Sequence, residues 1–144
     1  MMRGGASQAL RLKGGDTIEE AARCQAPIRI GSAIATTAGK LQTNWVIHAP
    51  TISQPVETTS PARIEAAAYA AVRVASDLGA RSIAFPGLGL GVGEVHVSDG
   101  AIALVAGVKR GLTKKNLLNV VKIVLRQKYY VPVFYNCITD TQFN

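Results

Sequence analysis

The chain has few cysteines and no long apolar run. Only two of its 144 residues are cysteine, Cys24 and Cys137. Neither has a Cys or His neighbour at ligand spacing, so the sequence predicts no zinc site, no disulfide scaffold and no cofactor. No apolar run approaches the roughly 18–20 residues of a membrane span, and the N-terminus lacks an uninterrupted apolar signal segment. We therefore expect a cytoplasmic protein without a membrane partner.

Acidic residues are also scarce, and the basic excess is concentrated in one part of the chain. Sixteen Lys and Arg against nine Asp and Glu give a formal net charge of +7. The segment 109–128 has no acid and seven basic residues, which are Lys109, Arg110, Lys114, Lys115, Lys122, Arg126 and Lys128. Such a surface attracts phosphorylated partners, although solvated basic faces are also common on soluble proteins. RNA binding through residues 109–128 is therefore one hypothesis, although no aromatic interleaving accompanies the charge.

Length and composition predict a single folded domain over residues 1–144. Apolar residues make up 48% of the chain and charged residues 17%, which excludes general disorder. A chain of this size buries roughly 68–70% of its unfolded surface, enough for a substantial core. Residues 129–144 show no clear pattern, and we expect a short helix or an irregular tail there.

A glycine repeat follows a short apolar segment at residues 82–86. After Pro86, glycine occupies every second position, at Gly87, Gly89, Gly91 and Gly93. Helical spacing resumes at about residue 95, so the predicted order is strand, glycine loop, helix. Backbone N–H groups of such a loop can point into one concavity and bind an anion, phosphate above all. A flexible turn is the alternative, because a glycine pattern alone is a weak signal.

The first half of the chain predicts two short helices and two strands. Residues 6–12 have helical spacing and end at a glycine pair, and a second helix to about Arg23 follows Asp16, which we expect as its N-cap with Glu19 as capping-box partner. Strands are predicted at residues 32–38 and 45–48, with a turn at 39–41.

The second half alternates longer helices with strands. Ser60 and Pro61 predict the start of a helix that Gly79 ends, and its alanines indicate close packing on a sheet. A helix from about Ser98 is expected to present Ile102, Val105 and Ala106 on one face, and residues 119–125 form the last predicted strand. This alternation predicts an α/β fold, a three-layer α/β/α sandwich with a mixed, largely parallel central sheet.

Several segments together resemble one family, the macro domain, which is the ADP-ribose-binding module. The resemblance runs in order from residue 2 to about residue 125 and is carried by residues 2–10, 14–20, 30–33, 37–41, 46–50 and 82–86. Macro domains grip the ligand's diphosphate with one loop before a helix and a second loop after a central strand. The resemblance places these loops at residues 3–7 and 89–94.

The resemblance implies binding of ADP-ribose or of ADP-ribosylated protein. It also suggests that a group after the last strand lies against the adenine. The expected ligand-binding residues are Gly4, Gly5, Ala6, Ser7, Gly89, Leu90, Gly91, Val92, Gly93, Glu94, Leu125 and Arg126. His48 follows a strand, and we expect it to pack or to form a hydrogen bond rather than to react.

The chain departs from the family pattern at both loops. Arg3 stands where the first of three glycines is usual, and Ser7 stands where members that hydrolyse ADP-ribosyl esters often carry an aspartate. A hydroxyl cannot replace a carboxylate as a base, so no catalytic residue is assigned. Hydrolysis of ADP-ribosyl or acyl groups stays an alternative to binding. Gly93 and Glu94 replace the aromatic residue and glycine that often end the second loop.

The resemblance also begins after two strands with which family members start. The chain is accordingly expected to be either an N-terminally shortened reading of a longer protein or a reduced domain with a weaker adenine grip. A sheet without its early strands leaves backbone edges to cover, and a partner chain can cover them. A homodimer is therefore a further expectation.

Overall fold

The computed structural model describes residue 2 and residues 4–91 and 93–140. Two short helices come first, followed by strands alternating with longer helices and by a last helix that follows a single 3-10 turn. In chain order the elements are α1 (Gly5–Gly14), α2 (Thr17–Cys24), β1 (Ile34–Thr37), β2 (Trp45–His48), α3 (Pro61–Asp77), β3 (Ser82–Pro86), α4 (Val97–Gly111), β4 (Val120–Val124), the 3-10 turn (Lys128–Tyr130) and α5 (Val131–Thr139). The predicted α/β fold is confirmed.

The described strands form two separate pairs. β1 and β2 are antiparallel, with Ala35 opposite Ile47, whereas β3 and β4 are parallel, with Phe85 opposite Ile123. Parallel neighbours need a crossover connection, and α4 supplies it. Both pairs border the main core, because Ile47, Ile83 and Ile123 pack against the same buried cluster.

Helix α3 begins and ends where its sequence signals predict. The hydroxyl of Ser60 accepts a hydrogen bond from the N–H of Arg63 at 3.3 Å, and Pro61 occupies the first turn. Gly79 follows the C-cap with a φ of +71°, a left-handed conformation that glycine adopts without steric cost.

The alanine face of α3 packs mainly on α4 rather than only on a sheet. A Cβ added at Gly107 would meet the carbonyl oxygen of Glu65 and the Cβ of Ala68 at 2.8 Å, and one at Gly111 would meet Val72 at 2.8 Å. Small residues on both helices therefore allow their backbones to approach closely. Larger side chains fill the core around this contact, including Ile64, Val72, Phe85, Leu104 and Phe134.

The predicted buried face of α4 was right at Val105 and wrong at Ile102. Ile102 is 40% exposed, whereas Ala101, Leu104, Val105 and Val108 are buried. These four positions recur at intervals of three and four, as a helix face requires. The glycines at 107 and 111 lie close to α3 and rotate the helix so that Ile102 points outward.

The capping box predicted for α2 was also wrong. Asp16 makes no side-chain cap bond, and its backbone is already helical. The carboxylate of Glu19 is buried and accepts hydrogen bonds from Arg11 at 2.8 Å, from Arg23 at 3.0 Å and from the N–H of Met2 at 3.3 Å. Two guanidinium groups outcompete a single backbone N–H for a carboxylate, so Glu19 joins α1 to α2 instead of capping α2.

Of the two expectations for residues 129–144, the short helix is confirmed. It is α5, which packs on α4 through Phe134. Residues 141–144 of the predicted tail lie outside the described residues. Within the described ranges, no helix is both long and apolar enough to cross a membrane.

Candidate functional site

The glycine loop, residues 87–94, leaves the carboxyl end of β3 and leads toward α4. β3 ends at Pro86, which pairs with Val124 at the end of β4, so both strands of the parallel pair end at this edge. In α/β sheets, ligands bind beyond the carboxyl ends of the strands. The loop therefore stands at the expected position for a ligand site. Val92 lies outside the described residues.

Backbone hydrogen bonds hold the glycine loop in one shape. Within it, the N–H of Glu94 donates to the carbonyl of Gly91 at 3.1 Å, and the N–H of Val95 donates to the carbonyl of Gly89 at 3.1 Å. The N–H of Thr59 donates to the carbonyl of Gly93 at 3.2 Å. These bonds tie the loop both to itself and to the segment that precedes α3, so it is not a free turn.

Leu90 anchors the glycine loop from inside. A Cβ added at Gly87 would meet the Leu90 side chain at 2.9 Å and the Leu125 side chain at 3.3 Å, and one at Gly100 would also meet Leu90. The Leu90 side chain thus fills the space that two glycines leave open, one in the loop and one in α4. Leu90 stays a predicted ligand-binding residue, because this packing concerns its side chain and not its backbone. The glycine at position 100 inside a helical pattern was the sequence signal for this packing.

Gly91 is the open position of the loop. It is exposed, and a Cβ built on it would meet no atom within 4 Å, whereas one on Gly93 would meet Thr59 at 2.6 Å and the carbonyl oxygen of Gly89 at 2.7 Å. Among the described residues, the backbone N–H groups of Gly89 and Gly91 have no hydrogen-bond acceptor. They are donors available to a ligand.

Glu94 takes an unusual backbone conformation at the end of the loop. Its φ is +56° and it is exposed. This left-handed conformation favours glycine, which is the residue that the resemblance places at this position. The loop backbone thus keeps a shape suited to glycine, and it carries a negative charge beside the available N–H groups.

The N-terminus of α4 is already compensated by its own side chains. The Nδ1 atom of His96 accepts from the N–H of Ser98 at 3.3 Å, and Asp99 lies in the first turn. A helix N-terminus with an acid in its first turn is less attractive to a further anion. The donors for a ligand therefore come from the loop itself.

The second predicted contact segment, residues 4–7, forms the start of α1. Gly4 is the N-cap, Gly5 has a φ of +31°, and Ala6 is exposed. The hydroxyl of Ser7 donates to the carbonyl of Gly4 at 2.7 Å. First-turn N–H groups of a helix lack intrahelical partners, and the first turn of α1 has no acidic residue.

No hydrogen bond between described residues joins segment 4–7 to the glycine loop. Arg3 lies outside the described residues. Beyond β4, Leu125 is half-buried beside the glycine loop and Arg126 is exposed.

The basic residues of segment 109–128 have different surroundings. Arg110 donates to Glu65 at 2.6 Å and lies 4.5 Å from the ring centre of Tyr69, and Lys109 also has an interaction partner. Lys114 and Lys115 line a groove of about 560 Å³ together with Arg73. This groove lies at the C-terminal ends of α3 and α4, where cations are favourable without any ligand.

His48 has a structural environment, as predicted. Its Nε2 atom lies 2.9 Å from the hydroxyl of Thr36, across the β1–β2 pair, and burial lowers the pKa of His48. Within the described part of the chain, no three His, Cys, Asp or Glu side chains cluster as metal ligands would.

Comparison with known proteins places the chain in a family. The family profile described as Macro domain matches residues 1–104. An uncharacterized protein of Aeropyrum pernix is 42% identical over 113 residues, which make up 77% of this chain and 60% of that protein. A macro domain-containing protein of Streptomyces coelicolor is 36% identical over 123 residues, covering 77% of this chain and 71% of that protein. The match thus spans about 60% of the Aeropyrum relative's length.

Solved structures agree with the sequence matches. The Trypanosoma brucei macrodomain in complex with ADP-ribose has a TM-score of 0.81 at 18% identity, covering 94% of this chain and 57% of that one. The Oceanobacillus iheyensis macrodomain with ADP has a TM-score of 0.71 at 19% identity, covering 96% of this chain and 76% of that one. The profile match over most of the sequence, the relatives and the shared fold show that this chain belongs to the macro domain family.

Proposed function

We propose that this chain binds ADP-ribose, free or attached to protein, with the glycine loop at the diphosphate. One observation carries the proposal. Gly91 is exposed with open space above it, on a loop that is held at Gly89, Gly93 and Glu94 by backbone hydrogen bonds. A site that is ordered before the ligand arrives loses less conformational entropy on binding.

The expected binding energy comes from backbone donors. A hydrogen bond to a charged oxygen contributes about 1.5–3 kcal/mol, and the loop offers the N–H groups of Gly89 and Gly91. We propose the first turn of α1, including Gly4 and Gly5, as the second donor group. A helix N-terminus adds roughly 0.3–1 kcal/mol for an anion. The ADP-ribose and ADP complexes of the two structural neighbours support this choice of ligand.

Leu125 and Arg126 are our candidates for the adenine side of the ligand. The Leu125 side chain lies against Gly87 of the glycine loop, and Arg126 is the exposed residue that follows it. A guanidinium plane can stack on an aromatic ring. The contact of the Leu125 side chain with the glycine loop supports this choice.

Binding rather than hydrolysis is the function we propose. Ser7 stands at the position where hydrolytic relatives often carry an aspartate, and its hydroxyl donates to the carbonyl of Gly4. That hydroxyl has neither the charge nor the basicity to activate water. A binding role needs no catalytic side chain.

Calorimetric titration with ADP-ribose tests the proposal, with AMP as the control for the adenosine half. Saturable binding of ADP-ribose and much weaker binding of AMP are expected, because AMP lacks the diphosphate. Equal affinities for the two ligands, or no heat with ADP-ribose, would contradict it. A single-stranded RNA in the same titration tests the basic-surface alternative, which predicts an affinity that falls steeply with salt.

A further inference from the structure

The segment 51–59, between β2 and α3, forms a closed loop beside the glycine loop. The hydroxyl of Thr59 donates to the carbonyl of Thr51 at 2.7 Å, which joins the two ends of the segment. The N–H of Thr59 donates to the carbonyl of Gly93. A Cβ added at Gly89 or at Gly93 would meet the Thr59 methyl group at 2.9 Å or 2.6 Å, respectively. The base of the 51–59 loop is therefore packed against the proposed diphosphate site.

One carboxylate fixes the tip of the 51–59 loop. The side chain of Glu57 accepts hydrogen bonds from the N–H groups of Ser53 and Gln54 at 2.7 Å and 3.3 Å. It also accepts one from the guanidinium of Arg63 in α3. The N–H of Glu57 donates to the carbonyl of Gln54 at 3.1 Å, so the tip is a turn. Because hydrogen bonds to a charged acceptor are stronger than neutral ones, the tip has a fixed shape before any ligand binds.

This turn presents an apolar side chain to solvent. Val56 is 92% exposed, more than any other large apolar side chain in the part of the chain that the structure describes, and the neighbouring Pro55 is also exposed. Single exposed apolar residues are common on protein surfaces, so exposure alone indicates no function. The place of Val56 distinguishes it, because a fixed loop holds it next to the proposed ligand site.

The proposed arrangement of ADP-ribose determines which part of the ligand lies near the 51–59 loop. Leu125, our candidate for the adenine side, lies against Gly87 at the start of the glycine loop. Thr59 lies against Gly93 at the other end. In ADP-ribose the diphosphate joins the adenosine half to a second ribose, and a protein is attached through that second ribose. With the adenine side at Gly87, the second ribose lies toward Gly93, and an attached polypeptide leaves the site beside the 51–59 loop.

We propose that the 51–59 loop contacts the polypeptide that carries the ADP-ribose, with Val56 against an apolar side chain of that polypeptide. The inference rests on the proposed function, because the attached ADP-ribose positions the polypeptide. Val56 precedes Thr59 by three positions, so their Cα atoms are at most about 11 Å apart. Two or three residues of an extended polypeptide span a similar distance. The partner is therefore an ADP-ribosylated protein with an apolar residue two or three positions from the modified side chain.

Matched peptides test this contact. Two synthetic peptides carry ADP-ribose on their central side chain through a linkage that resists hydrolysis, and they differ only in having leucine or serine two positions to either side. In calorimetric titration, the wild type should bind the leucine peptide roughly three- to tenfold more tightly than the serine peptide, because apolar surface is partly buried. Val56→Ser should remove this preference and leave the affinity for free ADP-ribose unchanged.

Leu117→Ser is the matched control variant. Leu117 is 59% exposed and precedes β4, at the end of the strand opposite to the glycine loop. This variant loses an exposed apolar side chain of similar kind, far from the proposed site, and should keep the preference for the leucine peptide. Loss of the preference in both variants would contradict a specific contact at Val56.

Further outcomes overturn the inference while free ADP-ribose still binds. In one, the wild type binds the two modified peptides equally, and in another, Val56→Ser keeps the preference. A third is that Val56→Ser weakens free ADP-ribose as much as the leucine peptide, which would make Val56 a contact of the nucleotide itself. If the wild type binds neither the peptides nor free ADP-ribose, the proposed function fails and this inference fails with it.

Discussion

The N–H of Thr59 donates to the carbonyl oxygen of Gly93 at 3.2 Å. Thr59 directly precedes Ser60, whose hydroxyl caps α3. The end of the glycine loop and the start of the longest helix are therefore one hydrogen-bonded unit. The hydrogen bond from Thr59 and the packing of Leu90 hold the loop, and this allows separate tests of loop structure and ligand contact.

Gly91→Val should abolish ADP-ribose binding without lowering stability. A Cβ added at this exposed position meets no atom within 4 Å, so the fold should tolerate valine. Its side chain would occupy the space in which a diphosphate would approach the loop N–H groups. Calorimetric titration measures the affinity, and thermal unfolding measures the stability. Unchanged affinity would remove the glycine loop as the proposed diphosphate site.

Gly93→Val is the matched control for the same loop. Its Cβ would collide with the carbonyl oxygen of Gly89 and with Thr59, and overpacking of this kind costs about 1–3 kcal/mol. We expect a lower melting temperature in this variant, unlike Gly91→Val. If both variants unfold at the wild-type temperature, the loop is not packed as described.

Local signals predicted the longest helix and the strands, because their causes lie within a few residues. Ser60 and Pro61 start α3 and Gly79 ends it through their own backbone preferences. The partners of Glu19 could not be predicted in this way, since Arg11 belongs to another helix. The outward position of Ile102 likewise depends on the contact of α4 with α3. Both errors come from tertiary contacts that outcompete a local pattern.

Acid should destabilise the protein partly through Glu19. The pKa of Glu19 is lowered to about 2, chiefly by the hydrogen bond from Arg11. The hydrogen bond from the N–H of Met2 and the positive charge of Arg23 lower it further. The unfolded-state pKa is about 4.3. The ionised carboxylate therefore stabilises the fold above that pH, and this contribution is lost as the pH falls toward 2. The pKa of Glu57 is likewise lowered to about 2, chiefly by the hydrogen bond from Arg63, so Glu57 also makes the fold less stable in acid.

Glu19→Gln isolates this effect. The variant should melt at a lower temperature at pH 7 and should lose less stability than the wild type between pH 5 and pH 2. Glu20→Gln removes the neighbouring exposed carboxylate and should follow the wild-type curve. If the melting temperatures of Glu19→Gln and the wild type fall equally between pH 5 and pH 2, Glu19 does not supply the acid sensitivity.

Gly107→Val should disrupt the packing of α3 on α4. Its Cβ would collide with the backbone carbonyl of Glu65, and a backbone atom cannot move aside as a flexible side chain can. We expect a loss of about 1–3 kcal/mol or more in the free energy of unfolding, measured by urea denaturation. Ile102→Ala on the exposed side of the same helix should cost much less. Equal losses would contradict the helix contact described above.

The candidate site was predictable only in part. The alternating glycines indicated a loop after a strand, but the same alternation could not distinguish inward Leu90 from outward Gly91. That difference depends on Gly100 in α4, which leaves space for the Leu90 side chain. Sequence spacing also does not give the distance in space between residues 4–7 and the glycine loop. It therefore could not predict whether the two segments bind the same ligand.

Replacing Glu94 separates charge from backbone shape at the proposed site. Glu94→Gln removes the negative charge and keeps the side-chain size, so ADP-ribose should bind severalfold more tightly at low salt and by a smaller factor at high salt. Glu94→Gly also removes the charge and relieves the φ of +56°. A non-glycine residue in this conformation costs roughly 1–2 kcal/mol, which the extra freedom of glycine in the unfolded chain offsets by about 0.4–1 kcal/mol.

We therefore expect Glu94→Gly to raise the affinity at least as much as Glu94→Gln and to unfold at or slightly above the wild-type temperature. Titration of the three proteins with ADP-ribose at two salt concentrations gives both comparisons. Weaker binding in Glu94→Gln would mean that the carboxylate contacts the ligand favourably, for instance through a ribose hydroxyl. A lower melting temperature in Glu94→Gly alone would mean that the Glu94 side chain stabilises the loop, because the backbone conformation by itself favours glycine.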